Sequence, residues 1–402
     1  MPDSTRVEDT AVTNPHWIMP DYYGGGIANL MSSIANGLGG KDTGYPGLAC
    51  SGGLDAITDA RNIILLVVDG LGYRYLSNQN ETVLAAHCRE RLTTVFPSTT
   101  ATAIPMFLTG VPPQQHGFTG WFTYFSELGS VIAVLPFCHR LGYSPVDSGL
   151  LSPGELSGAT TFFDRIPVAS SILTPDWISD SAFNRAFSGS GKVVPFHGLQ
   201  DLGTRLCRAV GRGKRRQYLY AYWGEFDALA HQYGVGSTQV AKHFRELDRF
   251  FEELLTGLRG TDTLLLVTAD HGFIDSSQAR NISLADHPKL ADTLMVPLCG
   301  EPRLAFCYVH PDKQGIFEDY VGERFSQQID LVSSSRLLEA GWYGLGAPHP
   351  GLKNRIGHYT LVMRENYMIT GRLPGERPNC HIGVHGGVSQ DEMYVPLIVA
   401  EC

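Results

Sequence analysis

The sequence contains no apolar run long enough to cross a membrane. Its longest apolar runs, NIILLVVDG and TLLLVTADHG, have the length of β-strands. The first ten residues are polar and lack the apolar centre of a secretion signal. We therefore predict a cytoplasmic protein that has no membrane as a partner.

The chain also lacks paired cysteines and an excess of positive charge. Its eight cysteines include no C-x-x-C pair, which favours free thiols in a reducing compartment. The formal net charge is -9 at pH 7, so no basic field is present to offset the phosphates of a nucleic acid. This charge argues against nucleic acid as a bulk partner. It does not argue against a small phosphate substrate, because bound cations can invert the local potential.

Strand-like and helix-like patterns alternate through most of the sequence, an order that is typical of a parallel α/β sheet. Residues 63–68, 218–223 and 264–268 are apolar throughout, as expected for central strands that are covered on both faces. Between the last two runs, apolar residues recur every three or four positions, which predicts a long helix that begins after Ser237 and ends before Gly260. We predict an α/β fold with a mostly parallel central sheet flanked by helices.

The composition divides the chain into three parts. Residues 1–56 are rich in glycine and weakly amphipathic, and we predict an N-terminal arm packed on the core. Residues 286–379 contain many prolines and glycines and polar strands at 304–310 and 358–363, which predicts a smaller insertion that caps the core. The metal-binding catalytic core would then comprise residues 57–285 and 380–402, with a return to the sheet at 393–399.

Three strand-like runs end in carboxylates, namely Asp69 in VVDG, Asp227 in YWGEFD and Asp270 in VTADHG. In open α/β sheets, ligands bind beyond the carboxyl ends of the strands. Each aspartate alone is adequately explained as a cap of the next helix or turn. Together they form a repulsive cluster unless cations neutralise it. The three carboxylates therefore indicate a metal site.

Histidines stand beside these carboxylates. His231 follows Asp227 by four residues in FDALAHQYG, so one helical turn directs both side chains to the same point. His271 follows Asp270 directly, and the C-terminal HIGVHGG offers His381 and His385. Imidazole and carboxylate ligands without thiolate suit Zn²⁺, with Mn²⁺ or Fe as alternatives.

A run of hydroxyl side chains lies in the otherwise apolar stretch VFPSTTATAIPMFLTG, residues 95–110. The hydroxyls belong to Ser98, Thr99, Thr100, Thr102 and Thr109. These are poor helix formers that commonly bond to the backbone at a turn. Alternatively, one of them is a nucleophile, which a nearby metal ion would activate.

The motifs VVDG, the hydroxyl run ending in TG with a following P-x-x-HG, FDALAH, ADHG and VHGG occur in this order. The set resembles the alkaline phosphatase superfamily, and more closely its nucleotide pyrophosphatase/phosphodiesterase branch, over about residues 60–285 and from 380 to the end. The resemblance implies an alkaline phosphatase-like fold and a pair of zinc ions that clamp a phosphoryl group. One ion would be held by Asp227, His231 and His385, and the other by Asp69, Asp270, His271 and the nucleophile oxygen. The family nucleophile lies ten residues before the glycine of the TG pair, which selects Thr100 over Ser98 and Thr99. Ser98 and Thr99 would then satisfy the turn, and Thr102 and Thr109 would bond to the backbone or bury their methyl groups.

The sequence departs from the family pattern after the HG pair. Nucleotide pyrophosphatases carry an asparagine there that donates to the phosphoryl oxygen, whereas HGFTGWFT offers none. A backbone N–H, or the hydroxyl of Thr119 or Thr123, is expected to replace it. Likewise, the arginine of alkaline phosphatases has no clear counterpart. Arg74, Arg140 and Arg165 are candidates only by their region of the chain.

The expected function is a two-metal hydrolase that cleaves phosphodiester or pyrophosphate bonds of nucleotide-type or related small phosphate-ester substrates through a phosphothreonine intermediate. A phosphomonoesterase, a phosphonate hydrolase and a phosphomutase are alternatives within the superfamily. A catalytically silent metal- or nucleotide-binding protein is the alternative from another class. A sulfatase is disfavoured because its C-x-P-x-R motif is absent around Thr100.

Overall fold

The structure is a computed structural model that describes residues 14–49, 56–79, 81–147, 149, 151–212, 215–378 and 380–402. The first thirteen residues of the predicted arm and Cys50 lie outside the described residues. None of the helices in the described ranges combines the length and the apolar character that a membrane span requires.

The described residues form eighteen strands. They are β1 (Asn62–Val68), β2 (Cys88–Thr93), β3 (Phe122–Phe125), β4 (Ser130–Ala133), β5 (Cys138–His139), β6 (Ala169–Pro175), β7 (Lys192–Phe196), β8 (Gln217–Trp223), β9 (Thr263–Thr268), β10 (Ile274–Asp275), β11 (Asn281–Ser283), β12 (Cys299–Glu301), β13 (Leu304–Cys307), β14 (Ile329–Ser333), β15 (Tyr359–Met363), β16 (Met368–Thr370), β17 (Gly383–Val384) and β18 (Tyr394–Glu401).

The same residues form seventeen α-helices. They are α1 (Ile27–Gly37), α2 (Ala56–Asp59), α3 (Tyr73–Ser77), α4 (Val83–Ala86), α5 (Thr100–Thr109), α6 (Pro113–His116), α7 (Pro153–Ser157), α8 (Phe162–Arg165), α9 (Ala182–Phe187), α10 (Gly198–Arg212), α11 (Glu225–Tyr233), α12 (Thr238–Leu258), α13 (Pro288–Ala291), α14 (Gln314–Phe325), α15 (Ser334–Glu339), α16 (Leu352–Arg355) and α17 (Gln390–Met393). Short 3₁₀ turns cover Gln278–Arg280, Leu284–Asp286 and Pro311–Lys313.

The central sheet has the strand order β2-β18-β9-β1-β8-β6-β7. The five strands from β9 to β7 are parallel, whereas β18 runs antiparallel to both β9 and β2. All seven residues of β1 are buried, as the continuous apolar run predicts for a strand covered on both faces. The predicted α/β fold with a mostly parallel sheet is therefore confirmed, as is the return of the chain to this sheet near its C-terminus.

Helix α12 is the long helix predicted between β8 and β9. Ser237 caps it, because the Ser237 Oγ accepts a hydrogen bond from the Val240 N–H at 3.3 Å. Its apolar stripe, which includes Phe244 and Phe251, lies in the same buried core as strands β1, β8 and β9. The helix thus contributes packing to the sheet that carries the candidate site residues.

A second sheet has the order β14-β15-β13-β12-β3-β4-β5 and is antiparallel throughout. Its strands β12 to β15 come from the predicted insertion 286–379, but β3, β4 and β5 come from the predicted core 57–285. The two groups pair through Gly300 and Phe122. A β-carbon on Gly120 would lie 2.8 Å from the Gly300 Cα, so glycine permits this close approach. The sheet therefore crosses the boundaries predicted from composition.

Strands β13 and β15, which composition indicates as polar, are buried along their whole length. Alternate residues of each strand face different apolar clusters. Leu361 packs with α14 on one side, and Val362 packs against the region of Trp342 on the other. Because both faces are covered, these strands form the centre of the second sheet and not a solvated edge.

Within the described part of the N-terminal arm, helix α1 lies in the main core. Helix α1 buries Ile27, Leu30, Met31 and Ile34, each at 0% exposure. This helix is more fully buried than its weakly amphipathic pattern indicates. Polar Asn29 tolerates burial because its amide donates to the carbonyl oxygens of Tyr22 and Pro46.

Candidate metal centre

Three neighbouring parallel strands bring carboxylates to one edge of the central sheet. Asp69 follows β1 directly, Asp270 lies two residues beyond β9, and Asp227 is in the first turn of α11, just after β8. Strand β1 lies between β8 and β9 with Val68 beside Trp223, so the carboxyl ends of the three strands meet. Asp69 and Asp270 are buried, with exposures of 2% and 0%.

The glycine of the DG motif shapes this edge. Gly70 has a φ of 75°, in the left-handed region that favours glycine. A β-carbon there would overlap the ring of Phe273. The resulting turn directs the Gly70 N–H to Oδ1 of Asp270, at 3.0 Å. This contact fixes the carboxylate and leaves its other oxygen directed into the site.

The first predicted ligand group converges. The Asp227 Oδ1 lies 3.5 Å from the His231 Nε2, and the His231 Nε2 lies 3.2 Å from the His385 Nε2. The remaining separation, between the His385 Nε2 and the Asp227 Oδ1, is 3.9 Å. Ligands about 2.0–2.1 Å from a tetrahedral zinc ion are separated from one another by roughly 3.3 Å. Small adjustments would therefore place all three atoms around one ion.

The second predicted group also converges, around Nε2 of His271. This nitrogen lies 3.3 Å from the Asp69 Oδ1, 3.5 Å from the Asp270 Oδ2 and 3.1 Å from the Thr100 Oγ1. It is also 4.0 Å from the Asp227 Oδ1. The two groups therefore adjoin, and Asp227, His271 and His385 likewise offer donor atoms within 4.8 Å of one another. The division of ligands between two ions follows the family resemblance, and the geometry accommodates it.

The three histidines share one orientation. In each ring, Nδ1 faces a backbone carbonyl oxygen: Gly383 O at 2.9 Å from His231, Gly272 O at 3.0 Å from His271 and Ser98 O at 3.2 Å from His385. Because Nδ1–H donates to these carbonyls, the proton stays on Nδ1 and Nε2 presents its lone pair to the site. This arrangement is the usual one for metal-ligating histidines.

The electrostatics of the cluster also fit cations. Burial, together with the neighbouring Asp227 and Asp270, raises the pKa of Asp69 well above its usual value. Burial raises the pKa of Asp227 to about 7 and lowers that of His231 to about 4. The Asp227 Oδ1 and the Asp270 Oδ2 are buried and accept no hydrogen bond. Buried carboxylate oxygens without donors are costly unless a cation lies between them, so the donor set fits divalent metal ions.

A tyrosine supports this cluster in a way that the sequence did not reveal. The Tyr222 hydroxyl on β8 donates to Oδ2 of Asp69 and leaves Oδ1 directed at His271 and Thr100. Hydrogen bonds of this kind orient a ligating carboxylate. The apolar run 218–223 indicated only a buried strand, because nothing in the pattern distinguishes a tyrosine that packs from one that donates to a ligand.

Thr100 is the first residue of α5, and Thr99 is its N-cap residue. The Thr100 Oγ1 lies 3.5 Å from the Asp69 Oδ1, which places the hydroxyl between the carboxylate and His271. The predicted backbone bonds of Thr102 and Thr109 are confirmed, to the carbonyls of Thr99 and Pro105 respectively. Thr100 is therefore the hydroxyl of this run that faces the predicted ligands.

The prediction that Ser98 and Thr99 merely satisfy their own turn is wrong. The Ser98 Oγ donates to the Gly387 carbonyl at 2.7 Å, and the Thr99 Oγ1 donates to Oε1 of Glu301 at 2.7 Å. These partners lie about 200 to 290 positions away in the sequence. The two hydroxyls thus hold the Thr100 turn against the loop of His385 and against the second sheet.

The region after the HG pair also differs from expectation. The Thr119 hydroxyl donates to the Arg355 carbonyl, the Thr123 hydroxyl donates to the Gly120 carbonyl, and both side chains are buried. Neither hydroxyl is therefore available to replace the family asparagine. The Trp121 N–H is also occupied, because it donates to Oε1 of Glu301 at 2.7 Å. Burial raises the pKa of Glu301 to about 7. The sequence around Glu301, EPRLAF, contains no motif that predicts its position beside the Thr100 turn.

The arginines named from their region do not lie among the predicted ligands. Arg74 pairs with Asp391 on the surface, at 2.8 Å. The Arg165 Nε donates to the Thr109 carbonyl at 2.9 Å. Arg140 is buried and pairs with Glu376, also at 2.8 Å. Each of the three is thus engaged with a group outside the predicted ligand set.

His116 in the HG motif supports helix α5. Its Nε2 lies 3.0 Å from the Thr102 carbonyl, and the Phe118 N–H donates to its Nδ1 at 3.1 Å. The ring is therefore neutral, with its proton on Nε2. Complete burial lowers the pKa of His116 to about 3.

We predict that this histidine makes the metal-free protein sensitive to acid. Its depressed pKa contributes stability that is present above the unfolded value of about 6.5 and is lost as the pH falls towards 3. Between pH 7 and pH 5 the free energy of unfolding should decrease by about 2 kcal/mol through this histidine. Urea unfolding across this interval should show a smaller decrease for His116→Gln than for the wild type, and an unchanged decrease for the exposed His197→Gln. Equal decreases in all three proteins would contradict the prediction.

A cavity of about 720 Å³ opens beside the predicted ligands. Thr100, Asp227, His231 and His385 line one part of it. Residues 298–302 and 369–372 from the range of the predicted insertion line another part, together with Trp121 and Tyr143. The cavity therefore gives a small molecule access to Thr100 and places the second sheet beside it.

The chain is similar to known proteins both in its sequence profile and in its fold. The profile of the family described as type I phosphodiesterase / nucleotide pyrophosphatase matches residues 63–387. A search of curated proteins found no match.

Solved structures with the same fold include mouse ectonucleotide pyrophosphatase/phosphodiesterase 5 in an inactive form with AMP. It is 16% identical with a TM-score of 0.63, over 83% of this chain and 87% of that one. The human counterpart is 16% identical with a TM-score of 0.62, over 84% and 87%. Phosphonoacetate hydrolase from Sinorhizobium meliloti 1021 with phosphonoformate is 18% identical with a TM-score of 0.61, over 85% and 90%.

Proposed function

Because the chain belongs to the type I phosphodiesterase/nucleotide pyrophosphatase family, we propose that it hydrolyses phosphodiester or pyrophosphate bonds of small substrates with Thr100 as the nucleophile. The observation that carries the proposal is the position of the Thr100 Oγ1, 3.1 Å from the His271 Nε2 and beside a cavity of about 720 Å³. A hydroxyl that only served as structure would be expected to face the backbone, as those of Thr102 and Thr109 do.

We propose that Asp227, His231 and His385 hold one divalent cation and that Asp69, Asp270, His271 and Thr100 hold a second. Such ions, of which zinc best suits the donor set, supply positive charge that polarises the phosphoryl group and lowers the pKa of the nucleophile hydroxyl. The orphaned oxygens of Asp227 and Asp270 support this assignment.

The remaining chemistry follows from the residues of the chain. The Thr100 hydroxyl loses its proton to solvent, its oxygen forms a bond to phosphorus, and the bond from phosphorus to the leaving oxygen breaks. The leaving oxygen departs with the electron pair and takes up a proton from solvent. Water then cleaves the phosphothreonine and regenerates the hydroxyl. Because α5 begins at Thr100, the free N–H groups of its first turn favour the negative phosphoryl group in both steps.

We predict that diesters are better substrates than monoesters. A monoester carries nearly two negative charges in its ground state and spreads charge over three equatorial oxygens in its transition state. The cavity beside Thr100 is lined by the Glu301 carboxyl, which accepts from the Thr99 hydroxyl, whereas the buried Arg140 in the same lining is already paired with Glu376. At pH 8, kcat/KM for bis(4-nitrophenyl) phosphate should exceed that for 4-nitrophenyl phosphate by at least about tenfold, or 1.4 kcal/mol.

The control for this comparison is Glu301→Gln. It retains an oxygen that accepts from the Trp121 N–H but removes the negative charge, so it should narrow the preference for diesters. The zinc concentration must be held fixed, and a phosphonate should be included in the panel to test the alternative activity. A tenfold preference for the monoester would assign the protein to the phosphatases instead.

We also propose that the second sheet and the insertion form a cap that selects substrates. The support is that residues 298–302 and 369–372 line the same cavity as Thr100, Asp227, His231 and His385. A cytoplasmic location likewise stays a proposal. It is supported by the seven described cysteines, all of which are free.

A further inference from the structure

The cavity extends beyond the predicted ligands to the loop that follows β16. Gly371, Arg372, Glu376 and Arg377 of this loop contribute to its lining, as does Arg140. Three of these residues are arginines, whereas the part next to Thr100 carries the carboxylates of Asp227 and Glu301. The two parts of the cavity therefore differ in charge. We call the part lined by residues 371–377 the distal end.

Arg140 holds the distal loop in place. Its Nε donates to Glu376 Oε1 at 2.8 Å, and its Nη2 donates to Glu376 Oε2 at 3.2 Å and to the Gly371 carbonyl. Glu376 Oε2 also accepts from the Leu373 N–H at 2.8 Å. The Arg140 guanidinium lies 4.0 Å from the centre of the Phe122 ring. These buried contacts anchor both ends of the loop to the wall of the cavity.

Glu376 is the only carboxylate that residues 371–377 contribute to the lining, and it is already paired with Arg140. Arg140 and Glu376 have side-chain exposures of 6% and 9%, so their charges neutralise each other away from solvent. Arg372 and Arg377 are exposed, and within the described ranges neither forms an ion pair or a side-chain hydrogen bond. Neither of these two guanidinium groups is thus within ion-pair distance of a carboxylate, and Arg372 acts on Glu376 only through a weaker Coulombic attraction.

From this arrangement, and resting on the proposed function, we infer that the distal end binds a second anionic group of the substrate. The class of substrate is a phosphodiester or pyrophosphate whose far end carries a carboxylate or a further phosphate. Guanidinium groups recognise both of these oxyanions through paired N–H donors. The protein has a net charge of -9, which repels anions. Arg372 and Arg377 provide local positive charge in the cavity lining that attracts them.

The test compares 4-nitrophenyl phosphodiesters whose second ester group is ethyl, 2-carboxyethyl or 2-phosphonoethyl. For the wild type we expect the two anionic tails to raise kcat/KM over the ethyl ester by about five- to tenfold, as charge-assisted hydrogen bonds allow. In Arg372→Ala/Arg377→Ala this ratio should fall to about one. The matched control is Arg249→Ala/Arg259→Ala, which removes two exposed arginines that lie outside the cavity and should keep the wild-type ratio.

A binding measurement separates the inference from the proposed function. Calorimetry of the same three esters with zinc-loaded Thr100→Ala protein should show tighter binding of the anionic tails, and the arginine double variant should abolish the difference. Turnover of all three esters at equal rates with equal affinities would overturn the anion site and leave the hydrolase intact. Preferential binding of the anionic tails without turnover in the wild type would overturn the hydrolase and leave the anion site. A carboxylate preference without a phosphonate preference, or the reverse, identifies which oxyanion is bound.

Discussion

Thr100→Ala is expected to lower kcat for a phosphodiester by at least about a thousandfold, the scale seen when a covalent nucleophile is removed. The hydroxyl lies between the Asp69 Oδ1 and the His271 Nε2, and no other hydroxyl of the run 98–109 is directed there. Alanine is a better helix former than threonine, and Thr99 remains as the N-cap residue of α5. The fold and most of the bound metal should therefore persist, as measured by thermal unfolding and elemental analysis.

Three companion variants make this result specific. Thr100→Ser keeps a hydroxyl at the same position and should retain measurable turnover with 4-nitrophenyl diesters. Ser98→Ala and Thr99→Ala remove the hydroxyls that bond to Gly387 and Glu301, and each should lower activity far less than Thr100→Ala. If Thr100→Ala stays active while one of the neighbouring variants is inactive, the assignment of the nucleophile is wrong by one or two positions.

The sequence was most informative where a functional group is fixed by its own local element. Asp69, Asp227 and Asp270 each follow a strand of the same sheet, so apolar runs alone were enough to predict that they meet. His231 and His271 are tied to these carboxylates by one helical turn and by adjacency. His385 is different, since only the order of motifs connected it with residues more than a hundred positions earlier.

Contacts between distant segments could not be predicted in this way. Glu301 meets Thr99 and Trp121 across about 200 and 180 positions, and the pairing of Gly300 with Phe122 joins two segments that composition had separated. Such contacts depend on how the second sheet packs against the rest of the protein. No local sequence pattern predicts that packing. The prediction for Ser98 and Thr99 was wrong for the same reason. The sequence of a turn does not show whether its hydroxyls bond to the turn itself or to groups far along the chain.

Removal of metal is expected to have the second large effect. Purified protein should contain about two transition-metal ions per chain, mostly zinc, and a strong chelator should lower diesterase activity by at least about a hundredfold. Metal bound only by the folded state also stabilises it, by about 4 kcal/mol when free metal exceeds Kd a thousandfold. The chelated protein should therefore unfold at a lower temperature, and added zinc should restore both activity and stability. Diester hydrolysis that resists chelation in protein without bound metal would overturn the two-metal proposal.

Asp270→Asn tests the ligand assignment without removing the structural role of the side chain. The Asp270 Oδ1 accepts from the N–H groups of Gly70 and His271, each at 3.0 Å, and an asparagine oxygen can accept the same two bonds. The amide would instead replace Oδ2, the buried oxygen that has no hydrogen-bond partner. Since an amide nitrogen has no lone pair to offer a cation, this variant should fold, bind about one ion per chain and lose most activity. Asp391→Asn removes a carboxylate that pairs with Arg74 on the surface, and it should keep two ions. Two ions and full activity in Asp270→Asn would place the second metal on other residues.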